Sequence, residues 1–200
     1  MMHLAYRLLF PAMWIAWAIY WFLASRGAKA THRREPLASR LMHIVPLAVA
    51  VVLVWTDRLP FGFLGQRLYP WASWQFWLGA LVTAAGLGFT VWARLDLGRN
   101  WSGTVTIKQD HDLVTTGPYA LVRHPIYTGL LFAFGGSVLA RGEWRGVLAL
   151  AIAWLALWRK LGLEERWMAE VFGERYAAYR QRVPALIPFP RKRAKAKGAP

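Results

Sequence analysis

The sequence predicts an all-α, polytopic membrane protein with about five transmembrane helices, and its composition supports this prediction. Hydrophobic residues make up 56% of the 200 residues and charged residues only 18%, whereas soluble domains are typically about 45–50% apolar and about 25% charged. The apolar residues gather into long runs, and many of the 13 tryptophans stand near the ends of those runs, as interfacial aromatic residues do. We therefore expect the lipid bilayer to be a partner of the chain.

Three stretches in the N-terminal half are long enough to cross the hydrocarbon core, which needs about 20 apolar residues. They are Leu4–Phe22, Leu37–Trp55 and Trp74–Trp92, and the third carries no charge. The first is followed by ASRGAKA, which resembles a signal-peptide cleavage site, but its length and tryptophan content favour a retained helix. Small residues four apart on the third stretch predict close approach to a neighbouring helix; these residues are Ala80, Ala84 and Gly88.

A tight helical hairpin is predicted to follow. Its two apolar stretches, Ile126–Ala140 and Gly146–Trp158, have only 15 and 13 residues and are separated by RGEWR. The hairpin either crosses the membrane with flanking residues or enters it partway. Residues 159–190 carry an apolar stripe at helical spacing and predict an interfacial C-terminal helix, broken near Gly173 and ended by Pro184.

Basic residues predict how the chain is oriented in the membrane. The first and third connections and the region from Arg159 onward hold 20 of the 25 Lys and Arg residues, and positive charge marks the cytoplasmic side. We therefore expect the N-terminus outside, and the third connection and the C-terminus on the cytoplasmic side of a bacterial inner membrane. Because the net charge of +15 lies beside apolar runs and in a basic tail, residues 191–200, nucleic acid is not expected as a partner. That tail is expected to be disordered and drawn to anionic lipid.

Several classes of site are disfavoured by what the sequence lacks. It contains no Cys, which excludes disulfides and thiolate chemistry. His111 and His124 are 13 residues apart without a compact ligand pattern such as HExxH, so no metal is predicted. The phosphate loops GxGxxG and GxxxxGK[ST] and the nucleophile elbow GxSxG are also missing, which disfavours a soluble dinucleotide or hydrolase site.

Residues 94–125 form the longest polar connection, and we predict that this connection is ordered, because long loops in compact proteins are usually functional when they are not disordered. It carries β-branched residues at 104–107 and a Thr-Gly-Pro turn at 116–118. Pro125 is well suited to the first turn of the next helix. Such a helix start, with unpaired N–H groups, attracts a carboxylate or a phosphate.

Two segments of the chain together resemble the isoprenylcysteine carboxyl methyltransferase family. The first, HDLVTTGPYALVRHPIYTG, follows the pattern H-x-L-V-T-x-G-x-Y-x-x-x-R-H-P-x-Y. The second, EERWMAEVFGERYAAYRQRVPALIPF, comes after the hydrophobic hairpin and contains the expected Glu pair, Phe-Gly, two tyrosines and Val-Pro in order. The resemblance covers about residues 94–190, whereas the first three spans match only as hydrophobic helices. It implies a single membrane methyltransferase domain, residues 1–190, whose catalytic half is about 94–190.

The resemblance implies a cytosolic pocket for S-adenosylmethionine, which leaves as S-adenosylhomocysteine. Glu164 suits the ammonium group of this cofactor, the helix start near Pro125 suits its carboxylate, and tyrosine rings suit its adenine or sulfonium. His124 is expected to contact the cofactor and not to act as a base. The residues implied as cofactor contacts are His111, Asp112, Leu113, Val114, Tyr119, Arg123, His124, Pro125, Ile126, Tyr127, Glu164 and Glu165.

One position departs from the family pattern. The family places an Arg four residues before the matching Glu, where it handles the substrate carboxylate, and this chain has Lys160 there with Arg159 beside it. Both residues are expected to orient the substrate. Because Lys lacks the bidentate fork of Arg, the acceptor stays open among a prenylated or isoprenylcysteine-like carboxylate, a small isoprenoid acid, another lipid and a thiol.

Two other interpretations remain open at this point. A sterol-type membrane reductase that uses NADPH shares an HPxY element and an acidic–aromatic C-terminal stretch, although such chains are longer and have more spans. A non-catalytic small membrane protein, such as a scaffold or transporter, would need polar residues inside its spans, and the third span has only Gln75, Thr83 and Thr90. In that case Glu164 and Glu165 would be solvated carboxylates at the membrane surface.

Overall fold

The computed structural model describes residues 2–26, 31–56, 62–98, 101, 106–108 and 112–188. The regular elements in this part of the chain are helices and one short pair of strands. The helices are α1 (Met2–Ser25), α2 (Leu37–Trp55), α3 (Ser73–Leu97), α4 (Pro125–Arg141) and α5 (Trp144–Arg182). The strands are β1 (Thr31–Arg34) and β2 (Thr106–Lys108), which pair antiparallel. Single 3₁₀ turns occupy Gly62–Gly65 and Gly117–Ala120.

Four helices, α1, α2, α3 and α5, are long and apolar enough to cross a membrane. The fifth, α4, has 17 residues and runs between the same two ends of the molecule as its neighbours. The predicted all-α, polytopic membrane architecture is therefore confirmed. The predicted tail, residues 191–200, and the predicted β-branched residues 104–105 lie outside the described residues.

Contacts between the connections define two ends of the molecule. At one end β1, which follows α1, pairs with β2, which follows α3; we call this the site end. At the other, the far end, Leu68 N donates to Gly142 O at 2.9 Å and Trp144 N donates to Gln66 O at 3.1 Å. The connections therefore alternate between the two ends. It follows that α4 and α5 each run from one end to the other and do not enter the bundle only partway.

The C-terminal part of the chain is interrupted at Gly173 and ends before Pro184, as predicted, but it differs from its prediction in continuity and in the burial of its stripe. The second hairpin helix and the expected interfacial helix are one element, α5, of 39 residues, broken only where Gly173 takes φ 50°. No proline interrupts the chain between Trp144 and Pro184, so the helix continues out of the apolar stretch. Tyr176 and Tyr179 of the predicted stripe are buried against the protein, not directed to lipid.

The closest helix pair is α3 with α4, and glycines make it possible. A Cβ added at Gly79 would lie 2.5 Å from Gly136 O, and one added at Gly86 would lie 2.5 Å from Ala133 N. Thr83 Oγ1 donates to Ala133 O at 3.1 Å within the same contact. The predicted face was wrong in part, because Ala84 and Gly88 are exposed and only Ala80 is buried. The helices therefore meet on the face with the smallest side chains, as is typical in membranes.

The remaining helices pack around this pair. Tyr6 OH donates to Ser137 O at 3.1 Å and Trp17 Nε1 donates to Thr90 Oγ1 at 2.7 Å, which fixes α1 on α3 and α4. Ala50 and Val54 of α2 pack in one apolar core with residues of α4 and α5. The bundle therefore has α1 packed against α3 and α4, and α2 packed against α4 and α5.

We predict that Gly136→Ala destabilises the bundle, because the added Cβ would lie 2.6 Å from Gly79 O and overpacking typically costs about 1–3 kcal/mol. Gly135→Ala is the matched control, since its Cβ would meet nothing within 4 Å. Thermal unfolding of the two detergent-purified variants checks this. Equal melting temperatures would contradict the close packing.

Candidate functional site

A cavity of about 260 Å³ lies at the site end, between the start of α4, the middle of α5 and the neighbouring ends of α1 and α3. Its wall is polar toward the connection before α4 and apolar toward the centre of the bundle. The predicted site residues that line it are Asp112, Leu113, Val114, Tyr119, Arg123, His124, Pro125, Ile126, Tyr127, Lys160 and Glu164.

Three predicted site residues are not part of this lining. Glu165 and Arg159 point into the protein elsewhere, and His111 lies outside the described residues. Conversely, the prediction missed wall residues from all five helices and from the connection after α3. These are Trp17, Trp21, Leu47, Leu97, Trp101, Leu130, Leu157, Met168, Tyr176 and Tyr179. For Trp17 and Trp21 the sequence did contain a signal, because the spacing of the tryptophans on α1 places several indoles on one helical face.

Glu165 is the centre of a charged network that contains the buried residues Arg123 and His124 and the exposed Arg180; we call it the Glu165 network. Arg123 donates through Nε to Glu165 Oε1 at 2.8 Å and through Nη2 to the same oxygen. His124 Nε2 lies 3.3 Å from this oxygen, and Arg180 Nε lies 3.5 Å from Glu165 Oε2. The network joins the start of α4 to both halves of α5.

The segment after α5 is fastened to the start of α4 by backbone contacts. Arg123 N donates to Pro184 O at 2.8 Å and His124 N donates to Ala185 O at 3.0 Å. Arg123 Nη1 also donates to Val183 O. Arg123 therefore directs most of its donors to the protein, although part of its side chain borders the cavity. The paired Val-Pro and Arg-His-Pro motifs of the sequence meet here.

His124 lies between two carboxylates at the first turn of α4. Its Nδ1 is 3.4 Å from Glu164 Oε2 and its Nε2 is 3.3 Å from Glu165 Oε1. Burial alone lowers the pKa of His124, but its contacts with Glu164 and Glu165 outweigh burial and raise that pKa above its usual value of 6.5. A protonated imidazole has no lone pair to accept a proton, so this environment disfavours a role for His124 as a base.

Lys160 and Glu164 face the cavity one helical turn apart on α5. Lys160 Nζ lies 5.3 Å from the centre of the Tyr127 ring, which itself stacks on His124 at 5.5 Å. Arg159 instead turns to the start of α2, where its Nη2 donates to Ser39 Oγ at 2.9 Å. Of the two residues predicted to orient the substrate, only Lys160 is placed to do so.

Aromatic rings from α1 and from the connection between α3 and α4 form part of the cavity wall. Trp17 stacks on Trp21 at 4.7 Å, and Trp21 meets the edge of Trp101 at 5.5 Å. Tyr119 is held from behind, because Tyr179 OH donates to its backbone carbonyl at 2.6 Å. Burial is the main cause, and the charge of Glu164 the second, of a pKa of Tyr119 well above its usual range. Its phenol is therefore neutral. The wall therefore contains carboxylate oxygens and aromatic faces, and both can bind a cation.

No group of three or more His, Asp or Glu side chains that could hold a metal ion occurs among the residues that the structure describes. The charged and polar groups in the cavity lining are instead the carboxylates of Asp112 and Glu164, the ammonium group of Lys160, the side chains of Arg123 and His124, and phenols and indoles. The first N–H groups of α4 lie beside them. His124, which precedes α4, makes no side-chain capping hydrogen bond to that helix. The cavity is therefore suited to a ligand that carries both positive and negative groups.

Comparisons with known proteins agree in pointing to one group of enzymes. A family model described as phospholipid methyltransferase matches residues 74–175. Protein-S-isoprenylcysteine O-methyltransferase B of Arabidopsis thaliana is 30% identical over 170 residues, which cover 84% of this chain and 83% of that protein. The protein-S-isoprenylcysteine O-methyltransferase of Schizosaccharomyces pombe is 35% identical over 100 residues, which cover 48% of this chain and 42% of that protein. The protein-S-isoprenylcysteine O-methyltransferase of Mus musculus is 31% identical over 155 residues, which cover 74% of this chain and 53% of that protein.

We predict that Glu165→Ala strongly destabilises the site end, because it leaves Arg123 buried without its carboxylate and breaking a buried pair costs about 3–5 kcal/mol. Glu174→Ala, on the exposed face of the same helix, is the control. The check is limited proteolysis of the detergent-purified variants, followed by mass spectrometry. Cleavage near residues 183–188 should become faster in Glu165→Ala alone, and equal rates in both variants would contradict the role of the network.

Proposed function

Because the chain belongs to the isoprenylcysteine carboxyl methyltransferase family and is an integral-membrane methyltransferase, we propose that its methyl donor is S-adenosylmethionine, bound in the cavity at the site end. The observation that carries this proposal is the position of the Glu164 carboxylate beside aromatic faces and a helix start within one cavity. Bound there, the donor would supply an electrophilic methyl group on a sulfonium.

The cavity residues fit the three charged groups of this donor. Glu164 would hold its ammonium, because this partly buried carboxylate faces the cavity and has oxygens for a further donor beside its contact with His124. The N–H groups of the first turn of α4, at Ile126 and Tyr127, have no partners within the helix and would receive its carboxylate. Tyr119 and the indole of Trp21 would pack against the adenine or the sulfonium.

We further propose that the acceptor is lipophilic and carries an anionic nucleophile, such as the carboxylate of an isoprenylcysteine-like compound or of another isoprenoid or lipid. Lys160 faces the cavity between its polar wall and the apolar residues Leu47 and Leu157. Its ammonium group would hold the anionic head while the apolar residues hold the tail. An acceptor that is already an anion needs no general base, so alignment and exclusion of water would supply most of the acceleration.

The two ligands would reach the cavity from different sides. The polar donor would enter at the site end, which we propose to be cytoplasmic because the connections at that end are rich in Lys and Arg. The N-terminus would then lie outside, in a bacterial inner membrane. The lipophilic acceptor would enter from the bilayer between α1 and α2, where Trp17 and Leu47 form the two sides.

Calorimetric titration of the detergent-purified protein with S-adenosylhomocysteine and with NADPH tests the donor. We expect binding of the first only. Glu164→Gln should weaken that binding about 30-fold or more, because losing one partner of a buried charge pair costs about 2–5 kcal/mol.

The control for this titration is Glu174→Gln, which should bind as the wild type does, because this exposed side chain lies on the same helix but outside the cavity lining. Absence of heat with S-adenosylhomocysteine, or binding of NADPH in its place, would overturn the proposed donor. Equal affinity of Glu164→Gln and wild type would place the ammonium group elsewhere.

A further inference from the structure

The apolar end of the cavity stops at a defined level in the bundle. Its last wall residues come from four different helices, α1, α2, α4 and α5. They are Trp17, Leu47, Leu130 and Leu157. Whatever occupies this end is therefore surrounded by protein on several sides, and the residues directly behind these four decide how far it extends.

Three aromatic residues, Trp14, Trp55 and Phe134, lie directly behind that level; we call them the aromatic floor. The ring of Trp14 meets the edge of Trp17, a wall residue, at 5.8 Å. Trp14 meets Trp55 at 6.0 Å, and Trp55 meets Phe134 at 5.9 Å. The floor thus reaches from α1 through α2 to α4 and closes the bundle below the cavity.

The floor is fixed in place and is continuous with the cavity wall. Trp14 Nε1 donates to Ser137 Oγ at 3.1 Å, which holds the indole against α4. Leu47 packs against the core that contains Phe134 and also against the core that contains Leu157. Space opened by shortening a floor residue would therefore join the cavity and would not form an isolated void.

The depth of the floor follows from helix geometry. Phe134 is nine residues after Pro125, the first residue of α4, and this corresponds to about 14 Å along the helix axis. The hydrocarbon core is about 30 Å thick. On α4 the floor therefore lies about half of this thickness from the helix start, whereas on α2 it is formed by the last residue, Trp55.

We propose that the aromatic floor limits the length of the apolar tail that the methyl acceptor can place in the cavity. This inference rests on the proposed function, because it concerns the acceptor of that reaction. A tail longer than the cavity must push aside packed rings and break the Trp14–Ser137 hydrogen bond, which close-packed interiors resist. Shorter tails meet no such obstacle. The floor is a determinant of acceptor specificity and takes no part in the methyl transfer itself.

A series of acceptors with one head and increasing tails tests the floor. The probes are N-acetylcysteine carrying an S-geranyl, S-farnesyl or S-geranylgeranyl group, assayed with S-adenosylmethionine. For the wild type, kcat/KM should fall about 10-fold or more at one step of the series, the range set by a misfit in an apolar pocket. In Phe134→Ala, and in the milder Trp55→Leu, that step should move to a longer tail while kcat/KM for the shortest tail stays unchanged.

Two exposed residues supply matched controls. Phe132→Ala lies on the same helix with its side chain directed outward, 55% exposed, and Trp77→Leu lies on α3, 64% exposed. Both should keep the wild-type profile. A wild type that shows no step, or floor variants that keep the step where it is, would overturn the length limit. Lack of turnover with every tail, in a protein that still binds S-adenosylhomocysteine, rejects the floor and the acceptor class but not the donor, whereas loss of that binding rejects the proposed function itself.

Discussion

The buried contact of Glu165 with Arg123 and His124 is the interaction on which the site depends. Arg123 and His124, at the start of α4, contact this carboxylate in the middle of α5 through their side chains. Through their backbone N–H groups the same two residues hold the segment after α5. Charges in such a position are tolerated only when they are paired and hydrogen-bonded, so the contact forces one arrangement on all three segments. His124 contacts Glu165 through Nε2 and Glu164 through Nδ1. The same residue therefore also orients the carboxylate of Glu164, which faces the cavity.

The rest of the bundle supplies rigid surroundings for this contact. Glycines bring α3 and α4 into backbone contact, and hydrogen bonds from indoles attach α1 to the same pair. The aromatic wall and the aromatic floor are therefore built on helices that cannot shift independently. The result is one cavity with a charged end at the site end and an apolar end toward the centre of the bundle, which suits a reaction between a polar donor and a lipophilic acceptor.

Much of the architecture could be predicted from the sequence, because long apolar runs and charge bias act locally. The polar wall of the cavity could also be predicted in large part, because the Arg-His-Pro and Glu-Glu motifs indicated two segments that lie together in the structure. What could not be predicted depends on rotation about a helix axis. Adjacent residues such as Glu164 and Glu165 point about 100° apart, and only packing decides which of them faces the cavity. The same applies to Lys160 and Arg159, and to the glycine face of α3, where the predicted small residues were four apart but mostly exposed.

The central claim is that the cavity beside the Glu165 network is the site of the methyl donor. Ultraviolet cross-linking of tritiated S-adenosylmethionine to the membrane-embedded protein, followed by proteolysis and mass spectrometry, tests this claim most directly. We expect label in peptides from residues 112–127 and 164–179, and loss of the label when S-adenosylhomocysteine is added in excess. Label confined to peptides from the far end, such as residues 62–69, or label that S-adenosylhomocysteine does not displace, would contradict it.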